Sequence, residues 1–460
     1  MNHACPAIIL AAIACACQTP ANADEAGPPT LQAAIGNPDN FKVSGSVRVR
    51  YEALDGQFRP GFDANDDLWS IRTTLFGELD TGPLRIGGEI YDSRAYGTNA
   101  GSVLTTGEVN PLELVQGYLV ADIARPFGNG SKLTLQAGRF TMNLGSRRLV
   151  AADDYRNTTN GYTGVRADLR LVDRTSATIF YTWPQQRRPD GLADLRANKV
   201  EMDREDWSLR LFGGYVSRPF SKRQILAELG YVRFLESDKP GYATRDRDLH
   251  SVSARIIAEP KTGLADFEAE GIYQFGSLSS SLSASAAPLD VESWFIHADA
   301  GYTFATAWKP RISIEYDRAS GDGPGHKYTR FDTLFGMRRS DLGPAGIYAA
   351  LGRANIETLG IRAEVVPSKR LDVFVNGRTL WAANSTDSFS STGVRDQSGK
   401  SGRFAGYQID GRARYWVIPQ FLRAELNAAW LKSEGLLVSA PDANPYGDTR
   451  YISMAMMVTF

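Results

Sequence analysis

Of the 51 basic residues in this chain, 40 are arginine and 11 are lysine. A guanidinium is planar and always charged, and it grips a carboxylate with two parallel hydrogen bonds where an ammonium makes a point contact. GC-rich coding produces the same excess, so position has to carry the argument. Many arginines fall on alternate residues opposite apolar ones. Arg48 and Arg50 do so, as do Arg72, Arg85, Arg139, Arg166, Arg170, Arg311, Arg362, Arg412 and Arg414. Glu89, Asp168, Glu270 and Asp317 fall in the same kind of position. If these faces line a water-filled channel, the arginines guide carboxylates, because rings of cations favour anions and low-dielectric walls concentrate their field. Cross-strand ion pairing is the competing use of the same residues. Most of these charges are expected to be paired, leaving an arginine surplus to select at a constriction. Arg147 and Arg148 stand where a strand pattern runs into a long loop. That is a mouth position, or else a place for a salt bridge to Asp153 or Asp154.

Other chemistries have less support. The cysteines are Cys5, Cys15 and Cys17, all near the N-terminus, so no thiol nucleophile, disulfide or thiolate metal site is expected beyond it. His3, His250, His297 and His326 make no metal or triad spacing. His250 reads as a satisfied polar residue at a strand start. Glu268 and Glu270 share one strand face, an arrangement a glycoside-cleaving pair also has. Charge lining of a lumen explains them with fewer assumptions. Asp317, Asp322 and Asp332 carry oxygens suited to Ca²⁺, but their spacing matches no known loop. No cofactor, metal or catalytic residue is expected.

The elements that position these side chains are strands. The last residues, TRYISMAMMVTF, alternate strictly. Ile452, Met454, Met456, Val458 and Phe460 fall on one face, and Tyr451, Ser453, Ala455, Met457 and Thr459 on the other. An amphipathic last strand ending on Phe is a familiar signal of outer-membrane barrels. A soluble sandwich also ends in such strands, so the connections have to decide. The alternation recurs in eighteen segments, from 41–52 to 449–460. Nine long and eight short connections alternate between them, as an up-and-down membrane barrel requires. The expected fold is a single all-β transmembrane antiparallel barrel of about 18 strands with periplasmic termini, wide enough for an aqueous lumen. The segment 112–121 alternates poorly. The loop 320–355 is long enough to fold inward as a plug. Tyr181, Trp183, Trp207, Tyr215, Trp294, Tyr302, Trp381 and Tyr415 read as interfacial girdles on the apolar faces.

Ala7–Cys17 is apolar and Ala21-Asn22-Ala23 is a cleavage site, so 1–23 reads as a signal peptide, with a lipoprotein leader as the alternative. Residues 24–40 read as a loose periplasmic lead-in and 41–460 as the barrel. Mean hydropathy is −0.28, and beyond the leader no apolar run approaches the ~18 residues a spanning helix needs. A net charge of −1 gives no bulk nucleic-acid signature.

Several stretches resemble the alginate export family. They are Gly138-Arg139-Phe140 leading to Leu144-Gly145-Ser146-Arg147-Arg148-Leu149, then Arg156-Asn157 and Asn160-Gly161-Tyr162, and Gly164-Val165-Arg166. Glu315-Tyr316-Asp317-Arg318-Ala319-Ser320-Gly321-Asp322 and Phe331-Asp332 with Leu334-Phe335-Gly336 are the most specific. Phe140 stands where family members often carry Gln, and Tyr162-Thr163 where they carry Phe-Asp. The resemblance implies an eighteen-stranded barrel in the outer membrane of a Gram-negative bacterium. It implies a porin passing an anionic polysaccharide or anionic solutes, with outer-membrane lipid and possible periplasmic export partners around it. An uptake porin for small organic acids, an outer-membrane enzyme and a soluble β-sandwich array are the alternatives.

Overall fold

The computed structural model describes residues 28–220, 225–338 and 341–460. Its wall has eighteen strands: β1 Phe41–Asp55, β2 Asn65–Asp80, β3 Leu84–Tyr96, β4 Asn110–Ala124, β5 Lys132–Phe140, β6 Tyr162–Arg170, β7 Ser176–Pro184, β8 Leu209–Phe220 and β9 Ile225–Glu236. They continue as β10 Asp248–Ala258, β11 Ala265–Ser279, β12 Pro288–Thr303, β13 Arg311–Ala319, β14 Ile356–Ser368, β15 Leu371–Trp381, β16 Phe404–Ile418, β17 Leu422–Ser433 and β18 Thr449–Thr459. Each pairs antiparallel with its neighbours in sequence. β18 then pairs back onto β1, from Ser46 opposite Thr459 to Asp55 opposite Arg450. The sheet is therefore closed, and no edge is left to expose unpaired amides to lipid. The expected leader, 1–23, lies outside the described residues. The lead-in is less loose than expected. Leu31–Ala34 makes a helical turn, and Gln32 bonds Phe41 O and Val43 N at 2.8 Å.

The terminal aromatic takes part in the closure. Phe460 and Gly45 exchange backbone hydrogen bonds of 2.8 and 2.9 Å. A Cβ on Gly45 would stand 2.6 Å from the Phe460 ring, so the missing side chain is what admits the ring.

The faces follow the alternation. Ile452, Met454 and Met456 are exposed on the outside, whereas Tyr451 and Ser453 are buried inside. The outward aromatics fall near both ends of the strands: Tyr51 meets Trp69 and Trp183 meets Trp207 on the long-loop side, and Tyr302 meets Phe304 on the short-turn side, where Tyr415 is also exposed. Tyr215 departs from the girdle expected of it. Val216 takes the outward position, and Tyr215 points inward against the buried cluster. β4 alternates poorly because its register against β3 shifts twice, between Glu89 and Ile90 and between Tyr91 and Ser93. Each shift moves the side chains that follow to the other face.

Candidate permeation site

The wall charges determine what the lumen holds. Most of the arginines marked by alternation do point inward, but few are free. Arg85 bonds Glu78 and Asp122, and Arg166 bonds Asp168. Arg311 is shared by Asp266, Asp299 and Glu364. Arg362 pairs with Glu364 and lies 3.9 Å from the Phe374 ring centre. Arg412 and Arg414 both bond Asp372. Glu89 accepts from Gln116, and Asp317 pairs with His297 at 2.8 Å. Arg170 is exposed at the short-turn rim.

Arg139 departs from the lumen position expected of it. It shares parity with Leu135 and Ala137, which face outward, and it lies at the rim between Glu113 and Glu205. A cation is tolerated outside there because the strand has passed the apolar band. Glu113 also accepts from Asp203 N at 2.6 Å. Asp203 in turn accepts from Asn110 and from Arg188 N. Burial and the neighbouring Glu113 push the Asp203 carboxyl up to about 7.

Two long loops enter the barrel. Residues 141–161 and 320–355 meet through a parallel bridge between Val150 and Phe335. Phe335 N bonds Leu149 O and Met337 N bonds Arg147 O, both at 3.0 Å. Met142, Leu144, Val150, Leu342, Ile347 and Leu351 from the two loops are buried in one apolar cluster with wall residues such as Leu54, Phe140 and Phe295, so the plug is packed onto the wall. The wall arginines fasten it. Arg50 Nη2 bonds Tyr155 O and Arg48 Nη2 bonds Arg156 O, each at 2.6 Å, and Arg72 Nη1 bonds Asp154 O at 3.1 Å. Arg48, Arg50 and Arg72 are thus buried beneath a loop rather than open to a pore. A carbonyl presented by a folded loop has taken the place a solute carboxylate was expected to fill.

Arg148 clamps the two loops to the far wall. It bonds Asp341 twice, at 2.9 and 3.1 Å, and reaches both Glu268 and Glu270. This replaces the salt bridge to Asp153 or Asp154 considered from sequence; Asp153 pairs with Arg156 instead. Burial opposes ionisation of Asp341, but Arg148 and Arg353 hold its carboxyl well below the usual range. Arg147 is exposed beside this clamp. Asp317, Asp322 and Asp332 are not brought together. Asp332 bonds Arg247, and Asp322 accepts from Thr329 N.

Above the plug, toward the long loops, lies a cavity of about 740 Å³. Six arginines and four carboxylates line it. Arg156 pairs with Asp153, Arg247 with Glu236, and Arg188 with Asp190. Arg59, Arg187 and Arg338 have no carboxylate within ion-pair distance among the described residues. Arg59 bonds the carbonyls of Ile347 and Tyr348 at 2.9 and 2.6 Å. Arg187 bonds Asn160 Oδ1 at 2.6 Å, and Arg156 holds the same oxygen at 2.8 Å. Burial, then neighbouring arginines, lowers all three. Arg59, beside Arg338, and Arg187, beside Arg156, come down to about 10. They remain charged at neutral pH, and with six arginines against four carboxylates the cavity carries a cation surplus.

Residues 40–442 match the alginate export profile. The chain belongs to the alginate export family. Its fold is similar to solved outer-membrane channels. The outer membrane protein opdK from Pseudomonas aeruginosa shares 12% identity at a TM-score of 0.57, over 91% of this chain and 98% of that one. A BenF-like porin from Pseudomonas fluorescens Pf-5 shares 9% at 0.60, over 92% and 99%. OpdQ from Pseudomonas aeruginosa shares 11% at 0.56, over 92% and 99%. At such identities the likeness establishes the fold. No curated protein matches the sequence. This alginate export family member is an outer-membrane β-barrel porin of the Gram-negative type. Its family and fold are those of transport channels rather than enzymes.

Alternation found the wall charges but missed the surplus. Arg59, Arg187 and Arg338 lie on loops, where no period marks a face. One signal was present. The chain's Arg-Arg pairs, 147–148, 187–188 and 338–339, all fall in long loops.

Proposed function

We propose that this alginate export family porin is a passive channel for anionic solutes, with both termini on the periplasmic side and the long loops outside. The observation that carries the reading is the set of three arginines, Arg59, Arg187 and Arg338, that face one cavity without a carboxylate partner. Such a surplus attracts anions and repels cations, and the low-dielectric wall amplifies the difference. The family match favours an anionic polysaccharide as cargo, handed over by periplasmic partners. The packed loops in the lumen favour small organic acids.

The test is the reversal potential of single channels in planar bilayers under a KCl gradient. Wild type is expected to be anion-selective. Replacing Arg59, Arg187 and Arg338 by Gln is expected to abolish that preference while the barrel still shows heat-dependent mobility on gels. A cation-selective or unselective wild type refutes the reading.

A further inference from the structure

Two separate cavities lie on opposite sides of the plug. The chamber toward the short turns, about 280 Å³, is lined in part by Arg147, Arg148, Glu268, Arg311 and Asp341. It shares no lining residue with the 740 Å³ chamber. Between them runs the clamp of Arg148 on Asp341, Glu268 and Glu270, backed by the buried contacts of the two loops. A charged polymer needs both loops withdrawn at once, against an apolar core and the carbonyl bonds of Arg48, Arg50 and Arg72.

The larger chamber has the size of a small-molecule site, which runs from about 300 to 1,000 Å³. Its three unpaired guanidinium groups come from three different loops, residues 56–64, 185–208 and 320–355. They therefore approach a solute from separate directions. One carboxylate satisfies one of them. Six arginines against four carboxylates leave a surplus of two, which a compact solute carrying at least two carboxylates neutralises. Arg187 is oriented by Asn160, and Arg59 by the carbonyls of Ile347 and Tyr348, so two of the three forks are held in place before any solute arrives. Phe335, Phe234 and Leu334 supply an apolar side to the same chamber.

We infer that the 740 Å³ chamber is a saturable binding site for a small di- or tricarboxylate, and that the folded channel does not conduct a polyuronate. The inference rests on the anion-channel reading above. It is tested on the full chain in planar bilayers with citrate, succinate, acetate and a hexameric oligogalacturonate. Citrate is expected to interrupt the current saturably, with a half-blocking concentration at least about tenfold below that of acetate, and succinate is expected to fall between. R187Q and R338Q should each raise the citrate value about tenfold, and R338K should recover part of it. In liposomes the hexamer should not cross. If acetate and citrate block alike, or if the hexamer crosses as fast as citrate, the inference fails even though anion selectivity stands. If selectivity itself is absent, the earlier reading fails instead.

Discussion

Replacing Arg148 by Gln should loosen the plug. The side chain is 4% exposed and serves Asp341, Glu268 and Glu270 together. Removal strands these carboxylates unequally. Glu268 keeps Arg255 and Asp341 keeps Arg353, but among the described residues Glu270 keeps only the Ser146 hydroxyl at 3.0 Å. Removing one member of a buried ionic cluster costs about 3–5 kcal/mol, because a charge stays behind without its partner. The wall strands do not need Arg148, so the cost falls on the docking of residues 141–161 and 320–355. At about 1.4 kcal/mol per factor of ten, the population with the loops undocked rises by roughly two to three orders of magnitude. Single-channel recording reads this directly: R148Q should show larger and noisier conductance than wild type, with brief returns to the wild-type level. Adding E270Q should reverse part of the effect by removing the stranded charge. Wild-type conductance in R148Q, with the loops still protected from protease, would refute the clamp.

Further expectations follow from single groups. Asp203 titrates near 7 in the folded chain against an ordinary value of 3.8, so the folded state holds its proton more tightly than the unfolded one. Its stabilising effect is therefore full at low pH and lost as pH rises from about 4 to about 7, at a cost of about 4 kcal/mol before local relaxation. After correction for the faster intrinsic exchange at higher pH, protection in residues 185–208 should be greater at pH 6 than at pH 8.5, and D203N should erase that difference; equal protection in wild type contradicts the assignment. Gly346 adopts φ +67°, and a Cβ there would lie 2.1 Å from Glu52 Oε2, which accepts from Ile347 N and the Tyr451 hydroxyl. G346A should cost roughly 1–3 kcal/mol and loosen loop 320–355 from β1. The expected reading is raised conductance with an unchanged barrel on gels, and unaltered channels would show that this contact does not hold the plug.

Much of the wall was legible because period two is a strong local signal. Ile452, Met454 and Met456 declare one face of β18 without reference to anything distant. The same rule placed Arg311, Arg362 and Arg412 inside. It failed where the period broke, as at β4, and where a strand outlasted the apolar band, as at Arg139. What the inward charges do is a different question, because their partners are remote in sequence. Nothing near Arg48 or Arg72 announces that carbonyls more than 80 positions away will occupy them. The sequence near Arg148 does not announce Glu268, Glu270 or Asp341 either. Loop packing decides which cations are left over, and loops carry no period to read.

The most direct test asks whether solute passes through the arginine chamber. Ser391 lines that chamber, and the chain's cysteines are confined to positions 5, 15 and 17. In a background where those three are serine, S391C should be modified by thiol reagents during single-channel recording. An anionic methanethiosulfonate should react faster than a cationic one of similar size, and the adduct should reduce the current in a stepwise, permanent way. Modification with no change in current, or faster reaction of the cationic reagent, would contradict passage through the arginine chamber.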